Sequence, residues 1–168
     1  MRVNKLREKL NSGEPTVSTH ILSVWPSVVE AIGHTGQYDY VEFVAEYGSF
    51  DLHDLDNLCR AAELHDMGSM IKIDQSLMPF LAQRGIGAGY GSVLFTDVRS
   101  LDEVDDCIKA AQPDHPEVVS VMESAIQKSR EKGILVGTTA RDAAGAINWI
   151  EKGAQWLMVN DDFGLMLM

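Results

Sequence analysis

Two short apolar stretches carry ionisable side chains at alternate positions, Tyr40-Val-Glu-Phe-Val-Ala-Glu-Tyr-Gly48 and Met70-Ile-Lys-Ile-Asp-Gln75. Side chains alternate across a strand. Glu42 and Glu46 are therefore expected on one face of the first stretch, and Met70, Lys72 and Asp74 on one face of the second. A cation and several carboxylates on neighbouring strands can satisfy one another inside a barrel or at its mouth, where unpaired charge is costly. Glu46, Tyr47 and Lys72 are the candidate site residues, since the C-terminal ends of strands form the working face of a barrel. The structural alternative is a Glu42/Glu46–Lys72 network that only satisfies itself.

Other chemistry-bearing residues are less pointed. Asp161 and Asp162 end the last strand segment and could approach the same mouth, although an acidic pair also serves as a helix cap or a solvated loop. Gly87-Ala-Gly-Tyr-Gly91 follows a helix and precedes a strand, the reverse of a nucleotide-binding loop, so it reads as a turn. Among the histidines, His20 lies on the first strand within reach of a barrel mouth; His34, His53 and His65 lie on or beside helices, and His115 at a junction. None is spaced as in H-E-x-x-H, and most read as surface or capping residues. Cys59 and Cys107 lack paired spacing and sit among apolar neighbours, as buried free thiols do. Trp25, Trp149 and Trp156 fit core or interface packing.

The elements that must position these residues alternate between the strand and helix periods from about Val17 onward, which makes the chain α/β. Strands are expected at Thr19–Val24, Tyr40–Tyr47, Met70–Ile73, Ser92–Val98, Ile134–Thr138 and Trp156–Asn160. Helices are expected at Ser27–His34, with Pro26 at its start, and at Asp51–His65, Pro79–Ile86, Ser100–Ala111, Glu117–Lys132 and Asp142–Lys152. Ser100-Leu-Asp-Glu103 has capping-box spacing. The alternation breaks once, where Gln112-Pro-Asp-His-Pro116 leads from one helix into another without a strand. Six strands with one such junction resemble a (β/α)₈ barrel lacking two units, since a full barrel takes about 250 residues. An open doubly wound sheet would also accommodate six strands.

The chain's 168 residues suit one domain spanning 1–168, and 45% apolar with 23% charged residues are ordinary globular values. A net charge of −11, with no Lys/Arg cluster, opposes a surface that tracks phosphates, so no nucleic-acid partner is expected. Neither a signal-peptide core at Met1–Leu10 nor an apolar run near about 18 residues is present, which sets the expectation of a cytoplasmic protein without a membrane partner.

Taken in order, several segments resemble the HpcH/HpaI aldolase family, the metal-dependent class II pyruvate aldolases of the 2,4-dihydroxyhept-2-ene-1,7-dioate aldolase type. Leu6–Pro15 resembles the family's opening helix and turn, and Tyr38–Gly48 its second strand with the acidic-aromatic end. Gly87–Phe95 resembles the helix exit and fourth strand, His115–Val118 the start of a late helix, and Gly153–Gly164 the final strand. The resemblance implies a TIM-barrel-like (β/α) domain, incomplete for want of the fifth and sixth strands.

It also implies carbon–carbon lyase chemistry on a 2-oxo acid and an aldehyde, through a pyruvate enolate held on Mg²⁺ or Mn²⁺ as Lewis acid. The family's metal ligands end its fifth strand and follow its sixth, and the likeness passes from Gln112–Asp114 straight to His115, so no ligand residues transfer. Tyr47 stands where a catalytic His is usual, and Lys72 where an Arg usually binds the pyruvate oxygen. In this reading Lys72 neutralises the oxyanion or carboxylate of the substrate, Tyr47 relays a proton, Glu46 orients the site and Asp162 aligns with the family's substrate-binding pattern. Tyr, with an ordinary pKa near about 10, is a poorer general base than His unless a cation lowers it. Homo-oligomers are expected as well, since missing strands would leave edges for partner chains to cover. The contrasting expectation is a non-catalytic assembly or ligand-binding protein on the same scaffold.

Overall fold

The computed structural model describes residues 3–112, 115–140 and 142–159. These fall into two compact units, Met1–Gln112 and Pro113–Met168. In the first, α1 (Lys5–Ser12) is capped by the Asn4 side chain, which accepts from the Arg7 amide. The βα units follow: β1 (Ser18–Ile21), α2 (Pro26–His34), β2 (Tyr40–Val44), α3 (Leu52–Leu64), β3 (Gly68–Ile73), α4 (Met78–Ala88), β4 (Ser92–Phe95) and α5 (Leu101–Ala111). Pro26 stands in the first turn of α2, where its missing N–H costs nothing. Asp51 and Asp54 form a reciprocal capping box on α3. Ser100 caps α5 by accepting from the Glu103 amide, but the Glu103 carboxylate reaches one residue further back and accepts from the Arg99 amide at 2.5 Å.

All four strands are parallel and lie in sequential order β1-β2-β3-β4. That order is the singly wound arrangement of a barrel wall; a doubly wound sheet would reverse direction from its first strand. Ile21, Val41, Phe43, Ile71 and Ile73 put their side chains into one core with Val29, Leu55, Leu58, Ala62, Leu81 and Ala82 from the helices. The alternate positions of the same strands, His20, Glu42, Met70 and Ser92 in one row and Val44, Lys72 and Leu94 in the next, therefore occupy the other face.

The second unit contains α6 (Pro116–Glu131), β5 (Gly137–Ala140), α7 (Ala143–Glu151) and β6 (Trp156–Val159). Its two strands pair in parallel, with Gly137 opposite Trp156 and Ala140 opposite Val159. Asp142 caps α7, accepting from the Gly145 amide at 2.7 Å. The architecture is thus α/β with parallel sheets, six strands among the described residues, and neither sheet closes on itself as a barrel.

Several strands are shorter than the hydrophobic pattern predicts. β2 stops at Val44 because the amides of Tyr47 and Gly48 both turn back to the Val44 carbonyl, taking Glu46 and Tyr47 off the ladder. Glu42 and Glu46 are consequently not two positions of one strand face. β3 ends at Ile73 as expected but begins two residues earlier, at Gly68; Asp74, expected on the strand face of Met70 and Lys72, instead leaves the sheet to cap a single 3₁₀ turn, accepting from the Ser76 amide at 2.6 Å. β5 begins at Gly137 rather than Ile134, because the Ile134 amide still bonds to Ser129 in closing α6.

Candidate functional site

Glu46 and Tyr47 sit in the turn that follows β2, and Lys72 is the next-to-last residue of β3, in register with Val44. The turn and the strand end are thus neighbours at the C-terminal edge of the sheet, the edge where a barrel's chemistry is done. Lys72 Nζ lies 2.7 Å from Glu46 Oε2, with the carboxylate side chain 8% exposed and the lysine 25%. Distance carries this attraction, since Glu46 Oε2 has no hydrogen bond of acceptable geometry despite its burial. The enclosed oxygen is compensated in charge but not in direction. Lys72 Nζ also stands 5.3 Å from the centre of the Tyr47 ring, within cation–π range.

The ionisation of the three groups is tied together. Contact with the Lys72 ammonium, helped by the Tyr47 hydroxyl, holds the Glu46 carboxyl below the usual carboxylate range. Contact with Glu46 in turn raises the Lys72 ammonium above its ordinary value, and Glu42 adds to that from a greater distance. Tyr47 is pushed up as well, chiefly by its hydrogen bond to Glu46, and the opposing pull of Lys72 does not reverse this. The cation that could have turned Tyr47 into a base is spent on the carboxylate. At neutral pH the site holds an ammonium, a carboxylate and a protonated phenol. Such a set can bind and polarise an anionic carbonyl compound and donate hydrogen bonds to it.

One row further down the same sheet face lies a pair that spacing within either segment does not reveal. His20 on β1 and Glu42 on β2 are register partners, and the His20 Nδ1–H donates to Glu42 Oε1 at 2.9 Å. Glu42 is the one charged or polar residue in the buried set among the described residues. The sequence signal is a His and a Glu at the third position of consecutive strands, which becomes a contact only once β1 and β2 pair without offset.

Asp162, the remaining expected substrate-binding residue, lies with Asp161 outside the described residues. His34 packs on His65 at 4.5 Å between ring centres, and His115 caps α6 through Nδ1, so both serve helices rather than the sheet edge. Cys59 and Cys107 are free and buried. As for a divalent ion, among the described residues no three His, Cys, Asp or Glu side chains gather closely enough to hold one. Glu46 and Glu42 are already engaged by Lys72 and His20, and Asp74, directly after β3, by Ser76. The donor set that an enolate-binding Mg²⁺ or Mn²⁺ needs does not fit these residues. No helix among them is long and apolar enough to cross a membrane.

Comparison with solved structures places this architecture. The chain superposes on a HpcH/HpaI aldolase/citrate lyase family protein from Burkholderia cenocepacia J2315 with a TM-score of 0.56, at 16% identity, over 98% of this chain and 95% of that one. It superposes on the citrate synthase SbnG with a TM-score of 0.51, also at 16% identity, over 96% of this chain and 92% of that one. The fold is that of the HpcH/HpaI aldolase/citrate lyase proteins, shortened to 168 residues. No family model matches the chain, and no curated protein matches its sequence.

Proposed function

We propose that the chain is a carbon–carbon lyase of the aldolase type acting on a 2-oxo acid, with an aldehyde as the second product. The observation that carries this reading is the Lys72–Glu46–Tyr47 group at the C-terminal edge of the parallel sheet, on a fold shared with aldolase/citrate lyase proteins. Lys72 supplies positive charge for the carboxylate and for the enolate oxygen as it develops. Glu46 fixes the ammonium in place, and Tyr47, kept protonated by its hydrogen bond to Glu46, lays its ring beside the ammonium. A Mg²⁺ or Mn²⁺ ion would add Lewis acidity to the same oxygen. Because its donor set is not found among the described residues, no step here depends on it. The working form is taken to be a cytoplasmic homo-oligomer of one aldolase-like domain, with the substrate a small molecule. A second reading, ligand binding without turnover, is favoured by one observation: Lys72 is already paired with Glu46.

Saturation-transfer NMR with pyruvate, followed by a coupled assay for pyruvate released from 4-hydroxy-2-oxo acids, tests the proposal. Lys72→Ala is expected to abolish pyruvate binding and to lower cleavage by roughly 10²–10³-fold, the usual effect of removing one oxyanion-stabilising group. Binding without cleavage in the unaltered protein supports the second reading. A protein that neither binds pyruvate nor cleaves any member of the series refutes both.

A further inference from the structure

We infer that His20, held by Glu42, is the proton-transfer group of this site. The inference rests on the lyase reading above and supplies what that site lacks, an accessible ring nitrogen with a lone pair free to take a proton. Glu46 is committed to Lys72, and Tyr47 stays protonated. His20 has the properties required. Its Nδ1–H donates to Glu42 Oε1 at 2.9 Å, and an ionised carboxylate can only accept, so the neutral ring is fixed as the tautomer with Nε2 unprotonated. The imidazole is 73% exposed while the carboxylate beneath it is 6% exposed. A buried carboxylate that orients an accessible imidazole is the arrangement by which proteins stabilise an imidazolium as it forms.

The pair also lies where a substrate on Lys72 would need it. His20, Glu42 and Met70 are in register across β1, β2 and β3, and Lys72 is two residues beyond Met70 on the same face. Two strand spacings across and two residues along place the backbones of His20 and Lys72 about 12 Å apart. Both side chains rise from the same sheet face, and we place the small keto acid between them. Glu42 also contributes, as the smallest of several causes, to raising the Lys72 ammonium, in keeping with that register.

The step balances with these groups alone. His20 Nε2 takes the proton from the hydroxyl on C4 of a 4-hydroxy-2-oxo acid. The C3–C4 bond breaks, the C4–O bond becomes the aldehyde carbonyl, and the freed electron pair forms a C2–C3 double bond. The C2 carbonyl pair moves onto oxygen beside Lys72. The imidazolium then returns its proton to C3 as the C2 carbonyl re-forms, giving a 2-oxo acid with no net change in electrons or protons.

Exchange of the pyruvate methyl protons in D₂O, followed by proton NMR, reads the return step without requiring the correct aldehyde. The unaltered protein is expected to catalyse exchange, and His20→Gln to slow it by about 10²-fold or more while pyruvate still binds, in line with the usual contribution of a general base. Free imidazole is expected to restore part of the rate to His20→Ala, which a merely structural role would not allow. Glu42→Gln is expected to give an intermediate rate, because its amide oxygen can still accept from Nδ1–H. Exchange by His20→Gln within about twofold of the unaltered rate, or no exchange by an unaltered protein that binds pyruvate, overturns the assignment of His20 and leaves the 2-oxo-acid site standing. Absence of pyruvate binding in the unaltered protein overturns that site and this inference with it.

Discussion

Replacing Glu42 by leucine separates a carboxylate kept for chemistry from one kept for stability. Glu42 sits mid-strand at 5% exposure, between Val41 and Phe43, which are themselves buried. Its compensation is one hydrogen bond from a largely exposed imidazole, together with the more distant Lys72. Removing a carboxylate from water costs several kcal/mol, whereas one hydrogen bond to a charged group returns about 1.5–3 kcal/mol. Leucine has similar volume, and burying it contributes about 2 kcal/mol. Glu42→Leu is therefore expected to stabilise the protein by about 1–3 kcal/mol, as replacement of isolated buried charge commonly does. For a unit of this size that raises Tm by roughly 4–12 °C. Urea melts of both proteins, with m unchanged, measure the difference. A loss of more than about 1 kcal/mol would show that the His20–Glu42 pair is a structural clasp, and the argument from its cost would fail.

Three further outcomes follow from particular contacts. The Glu46 carboxyl is depressed and the Lys72 ammonium raised, so the stability they contribute is present between the unfolded-state values of about 4.3 and 10.4; it is lost as pH falls through the folded pKa of Glu46 or rises through that of Lys72. Urea midpoints across pH should show both losses in the unaltered protein and smaller ones in a Glu46→Gln/Lys72→Met double variant, where the Lys9–Asp39 pair, shifted in the same directions, still titrates. Burial pushes the Cys59 thiol up to about 12, so a disulfide reagent at pH 8 should label it only under unfolding conditions, and rapid labelling of the native protein would contradict the packing of α3. At Gly33 an added Cβ would stand 2.4 Å from His65 Cγ, so Gly33→Ala should destabilise by about 1–3 kcal/mol in a thermal melt.

Much of the scaffold was legible in the chain. Asp51, Ser100 and Asp142 announce their helices because a cap needs only a side-chain oxygen and an amide two or three residues away. The helix-to-helix passage after α5 shows in Gln112-Pro-Asp-His-Pro116, and the apolar alternation of β2 and β3 shows in Val41, Phe43, Ile71 and Ile73. The strand ends were not legible in the same way. Val44 ends β2 because its carbonyl collects two amides from the following turn, and nothing in the alternation of Glu42, Val44 and Glu46 signals that turn. Lys72 and Glu46 were expected to meet as strand neighbours; they meet because a turn brings Glu46 to the strand end.

By itself, the sequence determined the α/β class, the order of the elements and the types of residue available for chemistry, since these depend on period, capping and composition over a few positions. Only the tertiary structure decided the pairings. Sequential parallel order excluded the doubly wound alternative, zero-offset register joined His20 to Glu42, and the turn after Val44 delivered Glu46 to Lys72. Register is set by packing helices and sheet around one shared core, a constraint that acts between residues about twenty or more positions apart, while the strand ends are set by turns whose hydrogen bonds the apolar alternation does not reveal.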